Sequence, residues 1–252
     1  MLFDLAGVGY RYTDGTSALE GIDLSIPAGA GLAVLGANGS GKSTLLRLLS
    51  GLLFCTEGTV RFHGAELSEA SLSQAEFRQR FRQSVGFVFQ NADAMLFNPT
   101  VREEIAFGLR QLGYAESELD RRVEETLGFL GIGHLADRAP FRLSGGEKRK
   151  VAIASVLAMN PQAILFDEPF LGLDPRGQSW LVRTLQQLRR AGKSIVVATH
   201  TLDLVSRIAD SAVILSEDHR LLANGPVFDL LTDENRLVEA NLIEDTREAV
   251  PS

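Results

Sequence analysis

Short apolar runs dominate residues 1–65 and predict strands. They cover residues 2–5, 22–26, 32–35 and 59–62. Turn signals such as Asp14-Gly15 separate them. The run at 32–35 differs from the others because a glycine-rich stretch follows it directly and helical spacing begins at Thr44. This order predicts a strand, a loop and a helix in succession.

The pattern changes after a further strand run at residues 84–90. Charge becomes more frequent, and apolar residues recur at helical spacing over residues 101–109 and 119–130. We therefore predict a mainly helical insert at residues 91–150. Residues 151–159 are apolar almost all round, as expected of a buried helix.

Strand runs alternate with helical stretches in the last part of the chain. The strand runs lie at 163–166, 195–198 and 212–215, and the helical stretches between them at 177–190 and 202–208. Such alternation is typical of parallel strands joined by crossover helices, so we predict a mostly parallel sheet. One core is expected from residues 1–90 and 151–232, followed by an acidic, weakly patterned tail at 233–252.

Composition narrows the range of partners. The 252 residues carry a formal net charge of -7, which disfavours nucleic acid because its binding relies on a basic face. We interpret the basic cluster of Lys148, Arg149 and Lys150 as a solvated helix face. Cys55 is the single cysteine, so no internal disulfide can form, and a reducing compartment fits. No cleavable signal or apolar run of roughly 20 residues is found, so we expect a soluble chain whose membrane role would come through a partner.

The strongest chemical signal is GANGSGKS at residues 36–43, which fits the phosphate-binding pattern G-x-x-x-x-G-K-[ST] between a strand and a helix. Glycines let backbone N–H groups point at phosphate oxygens, and the helix N-terminus adds partial positive charge. Lys42 is expected to reach the β- and γ-phosphates and Ser43 to ligate Mg²⁺. The candidate nucleotide contacts are Gly36, Asn38, Gly39, Ser40, Gly41, Lys42, Ser43 and Thr44.

A second signal follows the strand run at 163–166, where Asp167 and Glu168 come directly after four apolar residues. Ligands bind at the carboxyl edge of open α/β sheets. Asp167 is expected to hold Mg²⁺ through water, and Glu168 to act as the general base that polarises the attacking water. Taken alone, the pair also fits an ordinary strand end with two solvated acids.

The sequence LSGGE at residues 143–147 opens a predicted helix. Ser144 is an N-cap candidate, and Gly145 and Gly146 allow close approach to a γ-phosphate. Alone, this stretch would be a plain glycine loop that caps a helix. In its position between the two motifs above, it resembles the signature of the ABC ATPase family, with Glu147 where the commonest form has Gln.

The resemblance covers about residues 2–230 and implies an α/β fold. That fold has a P-loop NTPase (RecA-like) core, an N-terminal antiparallel β subdomain and an α-helical subdomain. It implies ATP and Mg²⁺ as ligands, and a contact of residues 144–147 to the nucleotide of a second subunit. Gln90 matches the glutamine that contacts Mg²⁺ and the attacking water, and His200 the histidine that contacts the γ-phosphate. Asp174 matches the aspartate at the dimer seam. Tyr12 matches the aromatic that stacks on adenine, although Tyr10 lies two residues away.

Two stretches, residues 89–101 and 143–159, are similar to the ATPases of energy-coupling factor (ECF) importers, especially the cobalt/nickel type. This resemblance implies a second ATPase subunit, a transmembrane coupling protein and a substrate-capturing membrane subunit, with the chain peripheral at the cytoplasmic face of the cell membrane. Because every hydrolysis motif is present, a homodimer is favoured. Leu96, Phe97 and Val101 would line a groove for the coupling protein or pack inside the insert.

Three alternatives remain at this point. An ECF ATPase for a vitamin such as biotin would share all of these motifs, and so would a soluble ABC ATPase in iron–sulfur cluster assembly. A GTPase or small-molecule kinase is disfavoured by the signature and by the absence of an N-K-x-D motif. One departure from the family pattern is local: Phe170 and Leu171 follow Pro169, where a small or hydroxyl residue is usual.

Overall fold

The computed structural model describes residues 1–244 of the chain. The strands are β1 (Phe3–Arg11), β2 (Ser17–Ile26), β3 (Gly31–Leu35), β4 (Glu57–Phe62), β5 (Ala65–Glu66), β6 (Val85–Val88), β7 (Ala163–Asp167), β8 (Ser194–Ala198), β9 (Ser211–Leu215) and β10 (Leu221–Pro226). The α-helices are α1 (Lys42–Leu49), α2 (Glu69–Ser73), α3 (Ala75–Ser84), α4 (Val101–Gln111), α5 (Glu116–Leu130), α6 (Gly145–Leu157), α7 (Pro175–Arg190), α8 (Val205–Ile208), α9 (Val227–Thr232) and α10 (Glu234–Glu239).

The strands within residues 1–244 form two sheets. One is antiparallel, in the order β2-β1-β4-β5. The other has the order β10-β9-β3-β8-β7-β6, and its strands are parallel except for β10, which pairs antiparallel with β9. The predicted fold, with an antiparallel β region beside a mostly parallel core sheet, is confirmed.

The parallel sheet is covered on both faces. Strands β3, β7 and β8 are buried at every position, as expected for parallel strands with continuous apolar runs. Successive residues point to opposite faces. Leu32 and Val34 pack with the antiparallel sheet and α1, whereas Ala33 and Leu35 pack in the cluster that includes helices α4 to α7. The core sheet is therefore held between two apolar layers, which fixes the ends of its strands.

The predicted helical insert contains α4 and α5, which pack against α6. Of the two alternatives left open for Val101, packing inside the insert is confirmed and lining a groove is wrong, because its side chain is fully buried in this cluster. Leu96 packs partly buried against the same cluster. Phe97 is 66% exposed and meets Phe107 edge to face at 4.9 Å. The predicted boundary at residue 150 falls inside α6, and the division into subdomains stays a prediction.

The C-terminal region is more regular than its sequence pattern predicts. Helix α10 lies inside the predicted tail, with Asp233 as its N-cap. Leu237 and Ala240 are buried in the apolar cluster around the parallel sheet. Residues 245–252 of the predicted tail lie outside the described residues. Among residues 1–244, no helix combines the length and apolar character needed to cross a membrane.

Candidate active site

The predicted chemical residues gather at one edge of the parallel sheet. The loop of residues 36–41 joins β3 to α1, Asp167 ends β7, and Gln90 and His200 come shortly after β6 and β8. A cavity of about 540 Å³ opens at this edge. The predicted residues that line it are Tyr12, Asn38, Gly39, Gly41, Lys42, Ser43, Thr44, Gln90, Glu168 and His200. Crevices at the carboxyl ends of parallel strands are the usual ligand sites of such sheets.

The loop has a backbone that glycine permits. Gly41, the residue before α1, has φ 104°, and a Cβ there would lie 2.2 Å from the carbonyl oxygen of Ala18. Lys42 is 6% exposed and donates hydrogen bonds to the carbonyl oxygens of Gly36 at 2.8 Å and Ala37 at 2.9 Å. Burial lowers the pKa of Lys42, and the carboxylates of Glu168 and Asp167 oppose that shift. A buried ammonium on a loop of inward amides suits an anionic ligand.

Two further observations test the fit of a triphosphate and a magnesium ion. The Ser40 hydroxyl oxygen is buried and has no hydrogen-bond partner among the described residues. Asp167 is 3% exposed and accepts a hydrogen bond from the Ser43 hydroxyl at 2.8 Å. Burial raises the pKa of Asp167, which the Ser43 hydrogen bond partly offsets. A hydroxyl beside a carboxylate is an oxygen donor set that Mg²⁺ accepts, with phosphate and water as the other ligands.

Glu168 is held in an unusual backbone conformation. Its φ is 44°, in the left-handed region that costs about 1–3 kcal/mol for a non-glycine residue. The backbone N–H donates to the carbonyl oxygen of Ala198 at 2.9 Å, which anchors the residue to β8. The carboxylate oxygen Oε1 lies 2.9 Å from His200 Nδ1 and 3.9 Å from Lys42 Nζ. The carboxylate is thus fixed at the wall of the cavity between two nitrogen groups.

Tyr12 lies beside the loop as predicted from the sequence. Its hydroxyl shares a hydrogen bond of 2.9 Å with Thr44 Oγ1, and its ring meets the Tyr10 ring edge to face at 5.0 Å. Of the two tyrosines, Tyr12 lines the cavity, whereas Tyr10 packs against the apolar cluster of the antiparallel sheet. The structure therefore places Tyr12 in the wall of the cavity, and its stacking role stays a prediction.

The predicted basic face of α6 is not uniformly solvated. Arg149 is 7% exposed and donates to the carbonyl oxygen of Phe89 at 3.1 Å. Burial lowers the pKa of Arg149. Lys148 pairs with Asp93. The interpretation of Arg149 as a solvated residue is wrong, because its guanidinium ties the signature helix to the residue before Gln90.

The LSGGE stretch forms a capping box. Ser144 is the N-cap of α6, and its backbone N–H and hydroxyl both donate to Glu147 Oε2 at 2.8 Å. The backbone N–H of Glu147 donates back to Ser144 Oγ at 3.4 Å. The hydrogen bond from the Ser144 backbone holds the pKa of Glu147 below its ordinary value. Glu147 is therefore an ionised carboxylate at the point where the signature begins.

The signature lies away from the loop within one chain. Ser144, Gly146, Glu147 and Asp174 line a second cavity of about 460 Å³, and no described residue lines both cavities. Asp174 is the N-cap of α7 and accepts from the N–H of Gly177 at 2.7 Å. The predicted site residues thus form two separate groups, and their roles in catalysis stay predictions.

Comparison with known proteins finds relatives along almost the whole chain. A family model described as "ABC transporter" matches residues 19–171. A putative ABC transporter ATP-binding protein of Methanosarcina acetivorans is 45% identical over 97% of this chain and 90% of its own length. This chain belongs to the ABC transporter ATPase family. It is an ATPase that binds ATP, and the predictions of family and enzyme class are confirmed.

Other relatives of this ABC ATPase carry more specific names. The nickel import ATP-binding protein NikO of Rhodobacter capsulatus is 44% identical over 96% of this chain and 95% of its own length. The solved structure of cbiO1 from Clostridium perfringens, described as part of the ABC transporter complex cbiONQ, has a TM-score of 0.82 and 34% identity, covering 96% of this chain and 94% of that one. A dimeric structure of the ATP-binding cassette MJ0796 bound to ADP and Pi has a TM-score of 0.80 and 28% identity, covering 89% and 98%.

The cavity of this ABC ATPase also contains residues that were not predicted as site residues. They are Thr16, Ser17, Ala18, Leu171 and His219. Residues 16–18 follow the predicted turn at Asp14-Gly15, and this position after a turn is the one sequence signal that could have drawn attention to them. The two residues that depart from the family pattern after Pro169 have different surroundings. Phe170 is buried in the core, whereas Leu171 is 48% exposed.

Proposed function

We propose that this chain is the ATP-hydrolysing subunit of an ECF-type importer for nickel or cobalt ions, and that it works as a homodimer on membrane subunits. The name of the nickel import protein NikO supports a metal-ion substrate, and the description of cbiO1 as part of an ABC transporter complex supports work together with other subunits. The proposed dimer is supported by the separation of the two cavities. The signature at residues 144–147 lies apart from the phosphate-binding loop of the same chain, so it is free to face the phosphate-binding loop of another subunit.

The loop and α1 would hold the triphosphate. Inward backbone amides, the N-terminus of α1 and the Lys42 ammonium supply positive potential. Lys42 would exchange its two loop carbonyls for phosphate oxygens, which are the stronger acceptors. Ser43, Asp167 and Gln90 would hold Mg²⁺, which when bound neutralises charge on the β- and γ-phosphates. Hydrolysis then depends on positioning and charge stabilisation.

Glu168 would act as the general base. Its fixed carboxylate is suited to orient a water at the γ-phosphate and to accept a proton from it. His200, at 2.9 Å from the same carboxylate, would contact the γ-phosphate and hold Glu168 in place. The left-handed backbone at Glu168 fits this role, since strained conformations cluster at sites that need a fixed geometry.

Two subunits would enclose two ATP molecules. Each site would combine the loop, Gln90, Asp167, Glu168 and His200 of one subunit with residues 144–147 of the other, and Asp174 would lie at the seam. ATP would close the dimer because its γ-phosphate contacts both subunits and so binds the closed state more tightly. Hydrolysis and phosphate release would reopen it.

The membrane partners would be a transmembrane coupling protein and a substrate-capturing subunit, with this chain peripheral at the cytoplasmic face. Phe97 and Phe107 form an exposed aromatic pair on the helical region. Exposed apolar side chains that pack against each other are suited to receive helices of a coupling protein.

The transport proposal is tested by uptake of labelled nickel, cobalt and biotin. Cells with the wild-type chain, cells without it and cells with Glu168→Gln are compared. We expect nickel or cobalt uptake only with the wild-type chain, and the same biotin uptake in all three. Loss of biotin uptake alone would favour the vitamin importer. If the uptake of nickel, cobalt and biotin is the same in all the cells, and no membrane protein co-purifies with the chain, a soluble ABC ATPase such as one in iron–sulfur cluster assembly is favoured.

Replacing Glu147 by glutamine should strengthen ATP-driven closure. The ionised carboxylate of Glu147 lies beside Ser144, where the γ-phosphate of the other subunit would arrive, and like charges repel. Glutamine also completes a capping box, so α6 keeps its N-terminal hydrogen bonds. In a Glu168→Gln background, the ATP concentration at half-maximal dimer formation should fall about two- to fivefold. An unchanged or higher midpoint, with an unchanged melting temperature, would mean that Glu147 does not face the nucleotide.

A further inference from the structure

His219 lies in the turn that joins β9 to β10 and contributes to the wall of the ATP cavity. Its φ is 63°, a left-handed value that glycine adopts most easily and that histidine, like asparagine, adopts more often than most residues. Its Nδ1 is buried without a hydrogen-bond partner, and the imidazole makes no hydrogen bond within residues 1–244. The hydrogen bonds within residues 1–244 therefore do not account for an imidazole at this position.

The turn is fastened to β2 through Glu20. The N–H of Glu20 donates to the carbonyl oxygen of His219 at 2.9 Å. The Glu20 carboxylate accepts from Ser17 at 3.0 Å and from Arg220 at 3.1 Å. Ser17 and His219, which both line the cavity, are therefore held on the same wall.

The same turn also lies next to the start of the phosphate-binding loop. A Cβ on Gly36 would come within 2.8 Å of the carbonyl oxygen of Leu215, the last residue of β9. The turn that carries His219 is thus hydrogen-bonded to β2 and begins close to the loop. Its side chain is not placed by a mobile segment.

The wall that contains His219 differs in charge from the rest of the cavity. Tyr12, Thr16, Ser17 and Ala18 are its other residues from the β1–β2 region, and none carries a formal charge. The charged groups of the cavity, Lys42 and Glu168, belong to the loop helix and the end of β7. A triphosphate is drawn to the ammonium and the loop amides, which leaves the uncharged wall to the nucleoside.

We propose that His219 contacts the nucleoside half of bound ATP and contributes to nucleotide affinity. This inference rests on the ATP-binding function described above. The ring nitrogens can hydrogen-bond to sugar hydroxyls or base nitrogens, and the apolar ring face can contact the flat face of the base. The unpaired Nδ1 gains a partner if the ring turns toward the ligand, which offsets the cost of leaving a buried polar atom unmatched.

The proposal is tested with His219→Gly and His219→Asn, because both residues tolerate the left-handed backbone and both remove the imidazole. Equilibrium dissociation constants are measured for ATP, ADP and inorganic tripolyphosphate. We expect ATP and ADP to bind about three- to tenfold more weakly to both variants. Tripolyphosphate should bind as it does to the wild type. The melting temperature should not fall, because glycine relieves the backbone at this position.

Asp218→Asn is the matched control, since Asp218 is exposed in the same turn and does not line the cavity. It should leave all three dissociation constants unchanged. ATP affinity within twofold of the wild type in both His219 variants would overturn the proposal, and so would an equal weakening of tripolyphosphate. ATP binding by the wild type is measured in the same series. A wild type that does not bind ATP would contradict the nucleotide-binding function itself, whereas variants that bind like the wild type would contradict only the contact by His219.

Discussion

Replacing Glu168 by glutamine should abolish steady-state ATP hydrolysis and leave ATP binding intact. The amide keeps the size of the side chain but accepts a proton from water far more weakly than a carboxylate does. Loss of a general base costs about 10²- to 10⁴-fold in rate. The phosphate contacts belong to Lys42, Ser43 and the loop, so they are unaffected. Phosphate release and equilibrium ATP binding by the purified variant measure the two effects separately.

The same variant should accumulate as a closed dimer in ATP, because hydrolysis is the step that reopens it. Light scattering with and without ATP reports this as a change from the mass of one chain to that of two. Glu66→Gln provides the matched control, since Glu66 is exposed on β5 away from the cavity, and it should hydrolyse ATP like the wild type. Wild-type turnover by Glu168→Gln would exclude Glu168 as the base.

Replacing Ser144 by arginine should block hydrolysis without weakening ATP binding to the single subunit. Within one chain Ser144 lies in the second cavity, apart from Lys42 and the loop. A long guanidinium there would fill the space that a nucleotide on the other subunit must enter. We expect hydrolysis to fall at least about 100-fold, since a dimer that cannot close lacks half of each site.

A smaller substitution separates this effect from damage to α6. Ser144→Ala removes the N-cap hydroxyl, which costs about 1 kcal/mol of stability, but adds no bulk. It should retain part of the hydrolysis and all of the ATP binding. If Ser144→Arg dimerises with ATP and hydrolyses it at the wild-type rate, the site is not shared between subunits.

The sequence was sufficient to predict those features that depend only on neighbouring residues in the chain. The loop at residues 36–43 needs a strand before it and a helix after it, and β3 and α1 provide both. The continuous apolar runs of β7 and β8 indicated strands buried on both faces, and every residue of these two strands is buried in the structure. These features are local, so they can be predicted without knowing the tertiary packing.

Features that depend on tertiary contacts could not be predicted in the same way. Val101 and Phe97 are both apolar and close in sequence, yet one is buried and the other exposed, because Val101 begins α4, which packs against α6, whereas Phe97 precedes that helix. Arg149 belongs to a basic run, but its contact is to Phe89, which follows β6 and is distant in sequence. His219 reaches the cavity only because its turn is attached to β2. No pattern in a single sequence marks such long-range contacts.

The shared site is tested most directly by mixing two inactive variants. Lys42→Ala removes ATP from its own loop but keeps an intact signature, and Ser144→Arg has the opposite defect. In a mixed dimer the intact loop faces the intact signature, and the arginine faces a loop without ATP. Hydrolysis that neither variant shows alone should therefore appear on mixing. A mixture that remains at the sum of the two separate rates, at every ratio, would contradict an ATP site built from two subunits.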